Sequence, residues 1–466
     1  MDVLIPDCVS WAEQTFGDVD LKDRRRTRRL VAAAAKIAAQ PEKSFPSVFD
    51  WNELRGFYRV CDQQPTRLTA VQGPHWEKTR QALGHHPLVL ILHDTTELDF
   101  TAHGALRGAG PIGDGNGQGF LQHNSLAIVP EPRQVLGLTY QQWRVRQPTP
   151  KGESTYQRRK RPRESEWWRA GIQAAGRAPE GTCVVDVGDR GADHYDALRA
   201  ARDVDHHFLF RVYQDRVVYR DAERTDAVHL LAHARSLPSQ GSDVVAIPGR
   251  GNRPPRTATV NLAGGVIWIP APAGTPGRQQ QPLVQTWVIR IWEPQPPAGV
   301  AEPLEWLLLC SLPTVTLAEL KDRRDWYGCR WLIEVYHDIE KNGCSEEDRR
   351  FETAPRMEAC VAVLAMVAVR ILQLRTAVLA QPAAPAEQVA SAAEIAGVRR
   401  FVRHRRTTFT VRDFVRGVAR LGGFLARKCD GEPGVRALWR GYQRLQDMLV
   451  GYHLHESPPA ASAETG

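Results

Sequence analysis

The sequence lacks the features that mark several common classes of protein. Its eight cysteines are scattered without a C-x2-C pair, which argues against a zinc site or a disulfide framework and predicts reduced thiols. The longest apolar stretch, Val361–Leu374, is interrupted by Arg370 and Gln373 and is too short to cross a bilayer. Acidic residues at positions 2, 7 and 13 leave no recognisable secretory signal. We therefore expect a soluble, cytoplasmic protein without a membrane partner.

A glycine-rich segment lacks the residues of a nucleotide site. The stretch Gly108–Gly119 (GAGPIGDGNGQG) does not end in the Gly-Lys-Ser/Thr sequence that holds nucleotide phosphates. From Asp114 onward it imitates a calcium loop, but Ser125 stands where the bidentate glutamate is required. We therefore predict a flexible hairpin connection here and no nucleotide cofactor.

Positive charge is what the sequence has in excess. Its 61 Lys and Arg residues against 53 Asp and Glu residues give a formal net charge of +8, which favours a polyanionic partner such as DNA. The densest group of cations is Arg24, Arg25, Arg26, Arg28 and Arg29, just before the helix-forming run Val31–Ala39. Either Arg25, Arg26 and Arg29 contact phosphates or the group is a solvated face. The nearby aromatic residues, Trp51, Phe57 and Tyr58, are expected in a core.

Three other segments indicate where the chain forms a loop, a linker and an amphipathic helix. The cationic stretch Lys151–Arg163 predicts an exposed loop that faces DNA, although disorder without function is an alternative. The Ala- and Pro-rich stretch Gln381–Ala393 predicts a linker. Near the C-terminus, an apolar stripe at helical spacing comprises Leu438, Tyr442, Leu445, Leu449 and Tyr452. Such a stripe is usually intramolecular core.

The most informative stretch reads YGCRWLIEVYHDIEK. It places Tyr327, Arg330, Glu334 and Lys341 in the pattern Y-x2-R-x3-E-x6-K. On a helix, steps of three, four and seven residues return to one face, and an opposite stripe of Leu332, Val335 and Ile339 is apolar. One carboxylate among three phosphate-type donors suits a metal ligand beside a nucleic-acid backbone. The alternative is a solvated helix face held by i,i+4 ion pairs.

Two apolar runs, each followed by an aspartate, predict buried strands. Pro87–Leu92 precedes Asp94, and Thr182–Val187 precedes Asp189. Continuous apolar runs of this length are typical of strands buried on both faces. We therefore expect both aspartates at the ends of core strands.

Together these motifs resemble the DDE transposases of bacterial insertion sequences, in the cut-and-paste, hairpin-forming subgroup. The likeness rests on the Y-R-E-K pattern, on the D-T-T that starts at Asp94 and on the D-R-x-A-D that starts at Asp189, and it extends from about Trp11 to about Tyr452. It implies that Asp94, Asp189 and Glu334 form a catalytic triad. The triad would hold two Mg²⁺ ions, for which Mn²⁺ would substitute.

The resemblance also implies DNA contacts around the triad. Arg211, Arg330 and Lys341 would position phosphates, and Tyr327 would donate a hydrogen bond to a phosphate oxygen. Trp306 would stack on a base displaced from a hairpin, although a core tryptophan at a strand edge is the alternative.

Other acidic residues near the motifs are weighed against the triad. Asp186 lies in the same strand ending as Asp189, but only Asp189 begins the D-R-x-A-D pattern. Glu97 and Asp99 are expected beyond the end of the first strand. Asp338 is expected to pair with Lys341 or Arg330, and Glu340 is expected to turn away from Glu334.

The fold class expected is α/β, with an RNase H-like core of mixed sheet and flanking helices. The resemblance implies a helical DNA-binding domain (1–72), a catalytic domain (73–377) with a β-rich insertion at about 214–312, and a helical dimerisation domain (378–466). In that last domain the apolar stripe from Leu438 to Tyr452 would contact a second protomer, and the tail from Glu456 onward would be disordered. Within the insertion, Thr257–Leu262 and Val266–Ile269 are expected as separate strands.

The function implied is excision of a mobile element. It would proceed by a nick that frees a 3′-OH, hairpin formation, hairpin opening and transfer into target DNA. The partners would be double-stranded transposon ends and target DNA in a bacterial cell, near the nucleoid, with a homodimer in the synaptic complex. The alternatives are a catalytically silent DNA-binding protein derived from a transposase and an RNase H-like nuclease without strand transfer.

Overall fold

A mixed sheet of 12 strands runs through the middle of the chain. The computed structural model describes residues 6–64, 66–147, 150, 152–154, 165–247, 249, 254–273, 275, 277–297, 300, 303–427 and 430–456. The strands are β1 (Leu88–Asp99), β2 (Gly110–Ile112), β3 (Gly117–Val129), β4 (Gln134–Arg144), β5 (Cys183–Gly188), β6 (His207–Arg211), β7 (Val217–Tyr219), β8 (Ala227–His229), β9 (Gly241–Ile247), β10 (Arg256–Ile269), β11 (Val284–Trp292) and β12 (Glu305–Cys310).

Five strands form the part of the sheet that carries the predicted aspartates. β3 lies antiparallel to both β1 and β4, whereas β5 is parallel to β1 and β6 is parallel to β5. The side chains of 89–92 and those of Val184, Val185 and Val187 are fully buried, as expected of strands covered on both faces. The α/β fold class is confirmed, and this arrangement is consistent with an RNase H-like core.

β1 is longer than its apolar run predicts. The run ends at Leu92, but antiparallel pairing with β3 continues to Asp99. Parallel pairing with β5 stops earlier, at His93 opposite Gly188. Asp94 therefore lies within β1, one residue beyond the last parallel pair, and not at a strand end. The prediction that Glu97 and Asp99 lie past the strand is also wrong, because β3 supports the strand as far as Asp99.

The β-rich insertion continues the same sheet. β12 pairs with β6, and β11 and β10 follow it in order. The two strands expected at Thr257–Leu262 and Val266–Ile269 are one strand, β10, because β11 pairs across Gly264 and Gly265 without a break. The glycine-rich segment forms the β2–β3 hairpin, as predicted.

Helices cover the sheet and build both ends of the chain. They are α1 (Cys8–Phe16), α2 (Arg24–Ala39), α3 (Phe45–Val48), α4 (Trp51–Cys61), α5 (Leu68–Leu83), α6 (Ser165–Ala174), α7 (Tyr195–Asp203), α8 (Leu230–Ser236), α9 (Leu317–Gly328), α10 (Trp331–Asp338), α11 (Ala354–Ala380), α12 (Ala392–Val402), α13 (Val411–Leu421) and α14 (Val435–Glu456).

α11 is the central helix of the C-terminal half. Its 27 residues are long and apolar enough to span a membrane by composition, and 89% of its most apolar window is buried within the fold. The helix is longer than the stretch Val361–Leu374 because apolar residues continue on both sides. Its burial is that of a core helix, which packs against α5 and β4 on one side and against α14 on another.

A buried polar group joins the two helical ends of the chain. Arg370 of α11 is 2% exposed and donates hydrogen bonds to the Pro6 carbonyl (3.1 Å) and the Tyr442 hydroxyl (3.0 Å). The Tyr442 hydroxyl donates in turn to Glu394 of α12. Because a buried charge is costly without partners, this group ties residues near α1 to α12 and α14.

Two predictions for the C-terminal region need correction. Gln381–Ala393 is packed: Ala386 is buried and its amide donates to the Phe409 carbonyl (3.0 Å), so the segment is not an open linker. The first part of the α14 stripe, Leu438, Tyr442 and Leu445, is buried within the chain, whereas Tyr452 is 46% exposed. The tail after Glu456 and most of the loop Lys151–Arg163 lie outside the described residues.

Candidate active site

The stretch that carries the Y-R-E-K residues is a divided helix and not a regular one. α9 ends at Gly328, and hydrogen bonds of the i→i+3 type join Arg330 N to Tyr327 O (3.0 Å) and Leu332 N to Cys329 O (2.9 Å) before α10 continues. Beyond α10, residues 339–343 form a π-helical turn that contains Lys341. Such tightened and widened turns change which way side chains point. The predicted apolar stripe, Leu332, Val335 and Ile339, is buried as expected.

Arg330 joins two members of the predicted triad. Its Nη1 lies 3.2 Å from Asp94 Oδ2, and its Nη2 donates to Glu334 Oε1. The Arg330 and Asp94 side chains are 18% and 17% exposed, whereas the Glu334 side chain is 54% exposed. One guanidinium therefore holds β1 and α10 together at the open edge of the site.

The charge environment of Asp94 links all three carboxylates. Burial, followed by the nearby negative charges of Asp189 and Glu334, raises the pKa of Asp94 to about 6, against the opposing effect of Arg330. Asp189 and Glu334 therefore lie near enough to Asp94 to act on its ionisation.

Asp189 is held by the turn that follows β5. Its Oδ1 accepts a hydrogen bond from Gly191 N (2.7 Å), which caps the short helical turn 190–192. Gly188 precedes it for a reason that the sequence did not indicate. A Cβ there would lie 2.5 Å from Ala192 Cβ and 2.9 Å from the Trp168 ring, so only glycine lets the turn pack.

The donors suit a divalent cation, but their arrangement is open. Carboxylate oxygens are the ligands that Mg²⁺ prefers. Within the described residues, no group of three or more His, Cys, Asp or Glu side chains is disposed to hold a metal ion. Arg330 engages two of the three predicted carboxylates in this arrangement. The chemistry of the donor set fits Mg²⁺. The contacts of Arg330 with Asp94 and Glu334 form a bridge, the Arg330 bridge, and a bound cation would have to compete with Arg330 for these carboxylates.

Two residues predicted to contact DNA, Arg211 and Trp306, lie beside a third, Tyr327. Tyr327 is buried, which raises the pKa of its phenol, while the positive charges of Arg330 and Arg211 oppose the rise. The Trp306 ring meets the Tyr327 ring edge-on at 5.8 Å. Trp306 is partly exposed and packs against the core.

Lys341 lies away from this centre. Its Nζ donates to the backbone carbonyl of Glu97, and it is 3.5 Å from a carboxylate oxygen of Glu347. The π-helical turn thus places Lys341 beside the far part of β1, where its contacts are with Glu97 and Glu347 and not with the triad.

Asp186 belongs to a buried group in which an acid, a histidine and a serine are linked in the order found in serine hydrolases. Its carboxylate lies 2.9 Å from His93 Nε2, and His93 Nδ1 lies 2.9 Å from the Ser125 hydroxyl. His206 Nδ1 lies 3.0 Å from the second oxygen. Burial alone would raise the pKa of Asp186, but His206 and His93 lower it to about 2. Asp186, His93 and Ser125 are each 0% exposed, so no substrate reaches them and the group holds strands together.

His337 docks α10 on the sheet beside Asp94. Asn124 is the cross-strand partner of Asp94, and its Nδ2 lies 2.9 Å from His337 Nε2. Because Asn124 Oδ1 already accepts from Gln141 (2.7 Å), the Asn124 amide must donate to His337, which places the imidazole proton on Nδ1. Burial, with Lys341 and Arg330, lowers the pKa of His337 to about 3, so the ring stays neutral. The sequence did not reveal this role.

Asp338 does not pair with Lys341 or Arg330, so that prediction is wrong. Its carboxylate lies 2.9 Å from Arg436 of α14 and accepts from Asn342 (2.8 Å). The partner lies about 100 positions along the chain, where local spacing cannot reveal it. Glu340 is fully buried and turned away from the exposed Glu334, as predicted.

The cationic helix α2 presents most of its arginines to solvent. Arg25 and Arg29 are exposed, whereas Arg26 is partly buried and donates to the Leu21 carbonyl (3.2 Å). Arginines in the first turn oppose the helix dipole, so their clustering there suits an anionic partner. Trp51, expected in a core, is 69% exposed at the start of α4, and Phe57 is buried as expected.

Comparison with protein families assigns the two ends of the chain. Residues 9–65, which include α2 and α4, match the family model described as transposase DNA-binding. Residues 367–458, which include α12, α13 and α14, match the family model described as the transposase Tn5 dimerisation domain. The two matches support a transposase that binds DNA through its N-terminal region and forms a homodimer through its C-terminal region.

Proposed function

We propose that this protein is a metal-dependent DDE transposase that excises a mobile element by a cut-and-paste route. The steps are a nick that frees a 3′-OH, hairpin formation on the opposite strand, hairpin opening and transfer into target DNA in the bacterial cytoplasm. The observation that carries the proposal is that Arg330 contacts both Asp94 and Glu334 while the charge of Asp189 also acts on Asp94, in a chain whose ends match transposase domains.

Asp94, Asp189 and Glu334 would hold two Mg²⁺ ions, or Mn²⁺ in their place. Bound there, the ions would supply Lewis-acid activation of the attacking oxygen and stabilisation of the leaving oxygen in phosphodiester cleavage. The raised pKa of Asp94 supports this role, because closely placed carboxylates are relieved by a cation.

Arg330 and Arg211 would position the scissile phosphate. Arg330 already neutralises carboxylates at the edge of the site, and a guanidinium can transfer its fork of hydrogen bonds from carboxylate to phosphate. Tyr327 would donate from its hydroxyl to a phosphate oxygen. Lys341 would contact phosphates further along the DNA, since it lies beside the distal part of β1.

Trp306 would receive the base that a hairpin forces out of the stack. A displaced base needs an aromatic face, and stacking of this kind is worth about 1–3 kcal/mol per base. The partial exposure of Trp306 and its contact with Tyr327 support this assignment.

The test uses a labelled duplex that carries the element's own end. The protein is incubated with and without Mg²⁺, and products are resolved on a denaturing gel. We expect a Mg²⁺-dependent nick and then a hairpin, both lost in Asp94→Asn, Asp189→Asn and Glu334→Gln, with DNA binding retained. Asp338→Asn is the matched control, because Asp338 is an acid one turn beyond Glu334 that pairs with Arg436. Cleavage that survives in any triad variant removes that residue from the triad.

The second candidate is a catalytically silent DNA-binding protein. The Arg330 bridge favours it, since two of the three carboxylates are engaged by a cationic side chain. A gel shift without cleavage at any Mg²⁺ or Mn²⁺ concentration would support this candidate. Cleavage without a hairpin or a joined product would point to a plain nuclease.

A further inference from the structure

The last turn of α12 and the segment that follows it, together called the loop below, concentrate cations on the C-terminal region. Within positions 399–406 the sequence reads RRFVRHRR, and no acidic residue occurs from position 395 to position 412. The arginines are Arg399, Arg400, Arg403, Arg405 and Arg406. The DNA-binding match at residues 9–65 does not include this loop.

One of these arginines, Arg399, stabilises the shape of the loop through hydrogen bonds to its backbone. Arg399 Nη1 and Nη2 donate to the carbonyls of Thr407 (3.2 Å) and Arg406 (2.5 Å). His404 Nε2 lies 3.0 Å from the Thr408 carbonyl oxygen, and its ring packs edge-on against the buried Phe409 at 4.9 Å. Arg399 and His404 therefore hold the loop in a defined shape.

The other four arginines point to solvent. Arg400, Arg403, Arg405 and Arg406 are all exposed, and Arg403 has a positive φ of 55°. Among the described residues, none of the four makes an ion pair with a carboxylate, and Arg400 lies 5.9 Å from the Tyr452 ring. Other arginines of the same region do pair, such as Arg412 with Glu432 (2.7 Å).

Four unpaired like charges in an ordered loop repel one another, which destabilises the free protein. A polyanion removes that repulsion. Guanidinium groups presented from a rigid loop suit phosphates, which they bind without reading sequence.

We propose that the exposed face of this loop, formed by Arg400, Arg403, Arg405 and Arg406, is a second DNA-binding surface that contacts the phosphate backbone of duplex DNA independently of sequence. This rests on the proposed function. The surface lies on the region matched to dimerisation, so a homodimer carries two copies of it. Each copy adds backbone contacts to those of the N-terminal region.

The test is the salt dependence of DNA binding by the full chain. The loop variant is Arg400→Gln, Arg403→Asn, Arg405→Gln and Arg406→Gln, with asparagine at 403 because it tolerates positive φ. Arg399 and His404 are kept. Affinity is measured by fluorescence anisotropy over a salt series, with a long duplex that carries the element's end and with a scrambled duplex of equal length.

The slope of log K against log[salt] is negative, and removal of one arginine–phosphate interaction lowers its magnitude, called the slope below, by about 0.9. We expect the slope for the loop variant to fall by about two to four units on both duplexes and its binding to be at least tenfold weaker at low salt. An unchanged slope overturns the proposal. An unchanged slope together with abolished binding to poly-glutamate would assign the loop to an acidic protein instead.

The control variant carries the same charge change elsewhere. It replaces Arg177, Arg220, Arg412 and Arg427 with glutamine, all of which are exposed and paired with carboxylates. It should keep most of the slope, and an equal decrease in both variants would show a net-charge effect and refute the proposal. If the quadruple variant does not fold, the slope for Arg405→Gln/Arg406→Gln should still fall by about one to two units.

Failure of this proposal and failure of the proposed function are separable. Nicking of saturated complexes in a single turnover reports the active site, and it should be the same in the loop variant as in the unaltered protein. The salt slope reports the loop, whether or not cleavage occurs.

Discussion

Arg330 Nη1 lies 3.2 Å from Asp94 Oδ2, although the two residues are 236 positions apart. This contact fixes α10 against β1 at the point where parallel pairing with β5 ends. Arg330 also donates to Glu334. A single guanidinium therefore controls the charge balance of the candidate site, and replacing it tests the site directly.

The first prediction concerns Arg330. In Arg330→Gln, the positive charge beside Asp94 is removed, so the pKa of Asp94 rises further and a phosphate is deprived of its positioning group. We expect the nicking rate to fall by about 10²–10³-fold, the usual effect of removing one preorganised charged donor. Arg324→Gln is the control, since Arg324 lies on α9 and pairs with Asp243 (2.7 Å). Nicking at the unaltered rate in Arg330→Gln would contradict the assignment.

The second prediction concerns pH and stability. The pKa of Asp94 rises from 3.8 to about 6 on folding, chiefly through burial. The protonated carboxyl is therefore favoured in the folded state, and the folded protein loses stability as pH rises from 3.8 to about 6. Asp94→Asn cannot ionise, so it should gain stability relative to the unaltered protein across that interval.

Urea denaturation at several pH values measures this difference. The gain should level off above the folded pKa of Asp94. A constant difference between Asp94→Asn and the unaltered protein at all pH values would show that Asp94 titrates normally.

The third prediction concerns the histidine beneath α10. In His337→Ala, the Asn124 amide loses its acceptor in a buried place, so the free energy of unfolding should fall by about 1–3 kcal/mol. His337→Gln supplies a carbonyl oxygen and should recover part of this stability. His229→Ala is the control, because that side chain is 64% exposed. Chemical denaturation gives the free energies, and equal stability of all three variants would remove the docking role.

The fourth prediction concerns Trp306. Trp306→Ala should slow hairpin formation by about 5- to 150-fold, the equivalent of about 1–3 kcal/mol of stacking. The first nick should change little, because it displaces no base. Trp306→Phe should be intermediate. Trp292→Ala on β11 is the control, since Trp292 stacks against Arg290 at 4.3 Å. Equal decreases in nicking and hairpin formation in Trp306→Ala would indicate a core tryptophan.

The fifth prediction concerns the buried link between the ends of the chain. Tyr442→Phe removes the acceptor of Arg370 and the donor to Glu394. We expect the free energy of unfolding to fall by about 1–3 kcal/mol, because Arg370 and Glu394, both buried and charged, each lose one hydrogen bond. Tyr452→Phe, at a residue that is 46% exposed, is the control. Similar stabilities of the two variants in urea would contradict the link.

Local patterns in the sequence determined much of the framework. The apolar runs before Asp94 and Asp189 predicted β1 and β5, because a strand covered on both faces must be apolar at every position. The spacing after Tyr327 predicted the buried stripe of α10. These predictions hold because the apolar pattern that a buried strand or helix face requires is formed by residues close together in the sequence.

Only the tertiary structure decided how these elements meet. It separated Asp186, buried between His93 and His206, from Asp189, which is partly open three residues later. Lys341, in a π-helical turn, lies beside Glu97 and Glu347 and not beside the triad. Asp338 pairs with Arg436 on α14. The physical reason is that ion pairs, pKa values and side-chain direction depend on groups that are distant in sequence, and spacing within one segment carries no information about them.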